Sequence, residues 1–265
     1  MSVAIRFLLL AVISAAVARA DAADDVRGAI RALGEASGYG WETIARQNAQ
    51  DFPDYPKATT RLEDQPKVID VRGKTVRGGL TEIIIPPGKP GIDVPVTAYI
   101  KSSVEAVAGT PIGWLTRQEM RDSPRARETV SFEGKPVRLQ RFFVVATRAT
   151  NIETPGDELR GLLADIADYE GEGEEIVGRL QPGAAIILRD GGRRGGGGGG
   201  QAPAGQVIFR LRDGALREYE VRLTTEVTRV GRSPIRRVER WITTLSGIGS
   251  TSVHAPREAV AKLAD

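Results

Sequence analysis

The chain has 265 residues, 41% hydrophobic and 27% charged, with 37 basic and 34 acidic residues and no cysteine. This is the composition of an ordinary globular protein with enough length for a sizeable core. The missing cysteines exclude disulfides, thiolate metal sites, cysteine nucleophiles and the cysteine-borne lipid of a lipoprotein, and the near balance of charge argues against a general nucleic-acid binder.

Residues 1–20 read as a secretory signal peptide. Arg6 precedes the apolar run from Phe7 to Val17, and Ala18-Arg19-Ala20 supplies an A-x-A cleavage site. This run of eleven residues, all apolar but Ser14, is about half of the roughly 20 that a spanning helix needs. The expected product of cleavage after Ala20 or Ala22 is periplasmic or secreted and not membrane-anchored. Removing the signal takes away Arg6 and Arg19, leaving 35 basic and 34 acidic residues. Residues 21–265 are read as a single α+β domain with a flexible Gly-rich loop at 191–205.

A helix is predicted from Asp24 or Asp25, either of which can cap it, through Glu35, with Val26, Ile30 and Leu33 on one face. Tyr39, Trp41 and Thr43 alternate as the start of a strand. Residues 51–66, with three prolines, suggest an irregular connection. Strands are then predicted at Lys67–Val71, Thr75–Ile85, Val94–Ile100, Gly113–Leu115 and Val137–Ala146. Turns are expected at Arg72-Gly73-Lys74, Pro86-Pro87-Gly88, Gly109-Thr110-Pro111 and Glu133-Gly134-Lys135. The continuous runs Ile83-Ile84-Ile85 and Phe142-Phe143-Val144-Val145 predict strands buried on both faces.

Pro155 and Asp157 open a second predicted helix, running through Tyr169 with Leu159, Leu162, Leu163 and Ile166 as its apolar stripe. Residues 174–190 fit a strand at Glu175–Leu180 or a short helix at Pro182–Arg189. Beyond the glycine tract, Val207, Phe209 and Leu211 alternate up to the hairpin signal Asp213-Gly214. Ala215–Val230 follows as a long strand, with Tyr219, Val221, Leu223 and Val227 on a dry face and Glu218, Glu220, Arg222 and Glu226 on a wet one. Gly231-Arg232-Ser233-Pro234 turns the chain into a strand at Ile235–Leu245, and Pro256 leads a terminal helix through Leu263.

No arrangement of catalytic residues stands out. The six glycines at 195–200 are followed by Gln-Ala-Pro rather than the Gly-Lys-Ser/Thr of a phosphate loop. His254 is the single histidine, short of a zinc site, and no serine occupies a Gly-x-Ser-x-Gly elbow. The acidic run from Asp168 to Glu175 lacks the spacing of a calcium loop. Nine acids between Glu153 and Glu175, and nine arginines between residues 205 and 245, read as solvated faces. No catalytic residue, metal ligand or cofactor is therefore assigned. Trp41, Trp114 and Trp241 are candidates for lining an apolar cavity or for core packing.

Gly38-Tyr39-Gly40-Trp41-Glu42-Thr43 near the start, with Gly247-Ile248-Gly249 and Val253-His254-Ala255-Pro256-Arg257-Glu258 near the end, carry a resemblance. Over residues 24–50 and 205–263 the chain resembles the exported bacterial lipoprotein-carrier superfamily, and it is similar to uncharacterised secreted bacterial proteins with the same start and finish. The superfamily resemblance implies an open, strongly curved antiparallel sheet, a half β-barrel, with helices packed on its concave side around an apolar cavity. On that reading the ligand-binding residues are Trp41, Tyr219, Val221, Leu223, Leu162 and Ile166, and the partner is an apolar small molecule or lipid. The alternative is a structural or regulatory cell-envelope interaction domain that binds a protein and no small ligand.

Overall fold

The computed structural model describes residues 21–50, 69–88, 93–102, 105–189, 203–227 and 235–264. The expected signal peptide, the expected 51–66 connection, the glycine tract through residue 202 and the expected turn at 231–234 lie outside the described residues. Among the described residues, no helix is long and apolar enough to cross a membrane.

The helices are α1 (residues 21–35), α2 (Arg117–Asp122), α3 (Leu139–Ala149), α4 (Pro155–Asp165), α5 (Pro182–Arg189) and α6 (Arg257–Ala264). The strands up to the middle of the chain are β1 (Gly38–Gln50), β2 (Ile69–Val76), β3 (Thr81–Ile85), β4 (Val96–Ile100), β5 (Ala106–Thr110), β6 (Gly113–Thr116), β7 (Thr129–Phe132) and β8 (Lys135–Arg138). The later strands are β9 (Ile166–Glu172), β10 (Glu175–Leu180), β11 (Ala204–Arg212), β12 (Ala215–Val227) and β13 (Ile235–Ser246). Backbone hydrogen bonds order eleven of them β6-β5-β4-β3-β2-β1-β13-β12-β11-β10-β9 in an open antiparallel sheet, with β7–β8 as a separate hairpin. The class is α+β, as expected.

Backbone contacts divide the chain into two compact units, one including Glu158–Thr244 and the other Ile69–Asp157. In the first, strand alternation sorts the chemistry of β9 to β13. Phe209 pairs with Tyr219 and Val207 with Val221, and Val221 in turn lies opposite Trp241, so one face is an apolar row. Val26, Ile30 and Leu33 of α1, Leu159 and Leu162 of α4, and Ala184 and Ala185 of α5 are among the buried residues of its helices. Asp213 (φ 54) and Gly214 (φ 71) form the β11–β12 turn, where both central residues must take positive φ to match the strand twist.

In the second unit, Ile83 lies opposite Ala98 and Ile85 opposite Val96. α3 packs on β3, β4 and β5, burying Leu139, Phe142, Phe143, Ala146 and Ala149. The next residue along β4, Tyr99, clusters instead with Val107 and with Ala259 and Leu263 of α6. Its ring lies 5.5 Å from Trp114, and its hydroxyl donates to Glu82 at 3.0 Å. Burial, with Glu82 beside it, pushes the Tyr99 hydroxyl up to about 12.

A reciprocal cap fixes the start of α2: the Glu119 amide donates to Thr116 Oγ1 at 3.2 Å, and the Thr116 amide to Glu119 Oε2 at 2.8 Å. Glu119 also meets Lys262 of α6 at 2.5 Å. Burial pushes the Glu119 carboxyl up, but Lys262 and the Thr116 donors together hold it below its ordinary value. Thr116→Ala is expected to cost about 1 kcal/mol, read as a shift of the urea midpoint at unchanged slope.

Several expected elements are corrected. The predicted strand at Val137–Ala146 is the end of β8 followed by α3, because the apolar residues at 139, 142, 143 and 146 follow a helical stripe. The expected turn at Arg72-Gly73-Lys74 lies inside β2, and the predicted strand Thr75–Ile85 is broken instead around Gly78 (φ 64). β5 and β7 had no prediction. The helix expected through Tyr169 stops at Asp165, and Ile166 and Tyr169 belong to β9. Both alternatives for residues 174–190 occur in succession, as β10 and α5. The loop assigned to 191–205 ends earlier, since Ala204 and Gly205 pair with Thr224 and Leu223.

Candidate functional site

Tyr219, Val221 and Leu223 alternate along β12 with their side chains on one face, and all three are buried. The Tyr219 hydroxyl donates to the Glu158 carboxylate in the first part of α4. Leu162, one helical turn beyond Glu158, shares that side of α4 and is buried. Ile166 reaches the same apolar face by a route the periodicity concealed. As the first residue of β9 its side chain lies over Gly178 of β10, where a Cβ would come within 2.8 Å of Ile166 Cδ1. Five of the six expected binding residues thus belong to the first unit and contribute to its apolar side.

Trp41 belongs to the second unit. It is 3% exposed, and its ring lies across the backbone of Gly73, where a Cβ would stand 2.2 Å from Trp41 Cε2. That contact explains the glycine inside β2: it admits the indole rather than turning the chain. The indole Nε1 has no hydrogen-bond partner among the described residues. Trp114 packs on Tyr99 and Trp241 stands opposite Val221, so the three tryptophans serve separate clusters. His254 is exposed, with Nε2 3.3 Å from Ser252 Oγ.

The opposite face of β12 is not uniformly wet, which corrects the reading of Glu220 as a solvated residue. Glu220 is 0% exposed. Arg240 of β13 forms a fork on it, Nε to Oε1 at 2.6 Å and Nη2 to Oε2 at 2.7 Å, and Arg222 Nε adds a bond of 2.8 Å. Arg210 Nη2 stands 3.9 Å away, joined to Glu218 and, at 3.1 Å, to Glu175. Burial alone pushes the Glu220 carboxyl up; the hydrogen bonds and charges of Arg240 and Arg222 together outweigh it and hold the group below its ordinary value. Strand alternation identifies these residues as one face, but only cross-strand register shows that the arginines enclose the acid.

A groove of about 460 Å³ in the first unit is lined by Asp24, Asp25 and Gly28 of α1 together with Glu174, Asp213 and Gly214 at two strand turns. None of the six expected binding residues lines it. Its four carboxylates come from three separate stretches of chain, so local sequence gave no signal for the grouping. Nearby in sequence, the buried Tyr169 hydroxyl is without a hydrogen-bond partner among the described residues, and burial pushes it up despite the opposing influence of Arg27.

No family model and no curated protein matches the sequence. Among solved structures, the chain is similar to the Mycobacterium tuberculosis lipoprotein LppX, at 10% identity and a TM-score of 0.41, over 88% of this chain and 97% of that one. It is similar also to LprF from Mycobacterium bovis, at 7% identity and a TM-score of 0.40, over 90% of this chain and 97% of that one.

Proposed function

We propose that the chain is an exported, non-enzymatic binding protein that holds an apolar or lipid-like group against the dry face of β12, beneath α4. The observation that carries this reading is the combination of three apolar-facing residues, Tyr219, Val221 and Leu223, with a helix tied to that face through the Tyr219–Glu158 hydrogen bond. Leu162 and Ile166 extend the apolar surface at either end of the same turn of chain. A ligand there would gain by burying hydrocarbon, while the Tyr219–Glu158 pair offers polar atoms to a head group. Trp41, in the second unit, is proposed as a separate apolar contact and not as part of the β12 face.

The competing reading is an envelope interaction domain with a filled core, and the low exposure of Val221 and Leu223 favours it. One substitution separates the two. In a binding protein, a solvatochromic fatty-acid probe binds the parent and is displaced by unlabelled fatty acid, and Val221→Trp lowers that binding while the melting temperature holds. In a filled core, the parent binds no probe and Val221→Trp overpacks the interior at a cost of about 1–3 kcal/mol. That second result would overturn the binding reading.

A further inference from the structure

We propose that the outward face of α3, together with β8 and the chain leading into β7, docks onto an anionic phospholipid surface. The residues concerned all belong to the second unit and are separate from the ligand face of β12.

Between Arg117 and Arg148 the chain has eight basic residues and four acidic ones, although its overall charge is nearly balanced. Two of those acids are ion-paired, Glu119 with Lys262 and Glu128 with Arg125 at 2.9 Å, while Asp122, which accepts from the neutral Gln118, and the exposed Glu133 keep their charge. By contrast, Arg127, Arg138 and Arg141 are exposed and have no ion-pair partner among the described residues. Backbone geometry groups them. Arg138 pairs with Thr129, and the Leu139 amide donates to the Glu128 carbonyl at 3.0 Å, which sets Arg127 beside the start of α3. Steps of about 100° per residue place Arg141, Val144 and Arg148 within roughly 60° of one another on the helix, away from the buried Phe142, Phe143 and Ala146.

Val144 is 68% exposed, an apolar side chain flanked one turn away on each side by an arginine. Arg148 meets Asp70 at 3.1 Å and still keeps most of its side chain in solvent. Cations around an exposed apolar residue suit the headgroup plane of a bilayer, where phosphates meet the charges and the apolar tip enters the acyl boundary. α3 contains no acid, so Arg138 at its start and Arg141 within it have no counter-charge on that helix. An anionic leaflet supplies that missing charge.

The test is co-sedimentation of the exported form of the chain with phosphatidylglycerol–phosphatidylcholine vesicles and with pure phosphatidylcholine vesicles. Binding is expected to the anionic vesicles alone, and to disappear when salt shortens the Debye length to about 3 Å. Each cation near an anionic leaflet strengthens partition about fivefold, so the triple variant Arg127→Gln, Arg138→Gln, Arg141→Gln is expected to lose roughly a hundredfold with its circular dichroism and melting temperature unchanged. Arg31→Gln, Arg212→Gln and Arg217→Gln together remove the same charge from exposed positions of the first unit and should leave partition nearly intact. Equal losses in the two variants, absence of vesicle binding by the parent, or binding to polyglutamate in place of vesicles would each overturn the proposal. Should the first triple variant unfold, Val144→Asp alone, at an exposed position, must still weaken vesicle binding.

Discussion

Replacing Glu220 by alanine is expected to lower the unfolding free energy by about 3 kcal/mol. The carboxylate is wholly enclosed, and removing it leaves Arg240, whose side chain is 15% exposed, facing Arg222 with nothing between the two charges. Breaking a buried pair from one side costs about 3–5 kcal/mol, and the lower end applies because Arg222 is about one-third exposed and can take on water. Urea denaturation of Glu220→Ala measures this directly. The double replacement Glu220→Leu, Arg240→Leu should recover a large part of the loss, since an apolar pair of similar volume removes the stranded charge along with its partner. A loss under about 1 kcal/mol for Glu220→Ala would mean that these arginines act as ordinary surface partners.

The same group gives a pH signature. Its folded-state pKa lies below the ordinary carboxylate value, so as pH falls the unfolded chain takes up the proton first. The stabilisation is therefore complete above the unfolded value of 4.5 and is lost as pH falls through the folded one. The stability difference between the parent and Glu220→Gln should be flat near neutrality and shrink in acid. A difference that grew as the solution was acidified would contradict the depressed pKa.

What could be read from the sequence divides along a physical line. Elements whose pattern is local were legible: α1 from the spacing of Val26, Ile30 and Leu33, the β11–β12 hairpin from Asp213-Gly214, and the dry side of β12 from Tyr219, Val221 and Leu223. Features that depend on a distant partner were not. Gly73 looks like a turn residue until Trp41, on another strand, is found lying across it. Glu220 shares its parity with the polar Glu218, Arg222 and Glu226, and only the register of β12 with β13 shows Arg240 reaching it from the neighbouring strand. Ile166 continues the helical spacing of Leu159 and Leu162, yet the chain changes to β9 at that residue, and its apolar side chain is used over Gly178. Of the candidate site, the β12 residues were therefore accessible to strand alternation, whereas the acidic groove and the enclosed glutamate required the tertiary fold.

The run Phe142-Phe143-Val144-Val145 gives the sharpest contrast, because a doubly buried strand and an amphipathic helix assign its residues different energies. In α3, Phe142 is fully buried and meets Phe132 edge-on with ring centroids 6.0 Å apart. Phe142→Ala is expected to cost about 3–5 kcal/mol, combining lost transfer energy, the cavity left behind and the ring contact. Two positions later, Val144 is 68% exposed, and Val144→Ala should change stability by less than about 0.5 kcal/mol. Urea unfolding of the two single variants measures both. If the segment were a strand buried on both faces, Val144 would share the apolar environment of its neighbours and its truncation would leave a cavity too. A loss above about 2 kcal/mol for Val144→Ala would therefore refute the helical assignment, and with it the exposed face on which Val144 and its flanking arginines are presented.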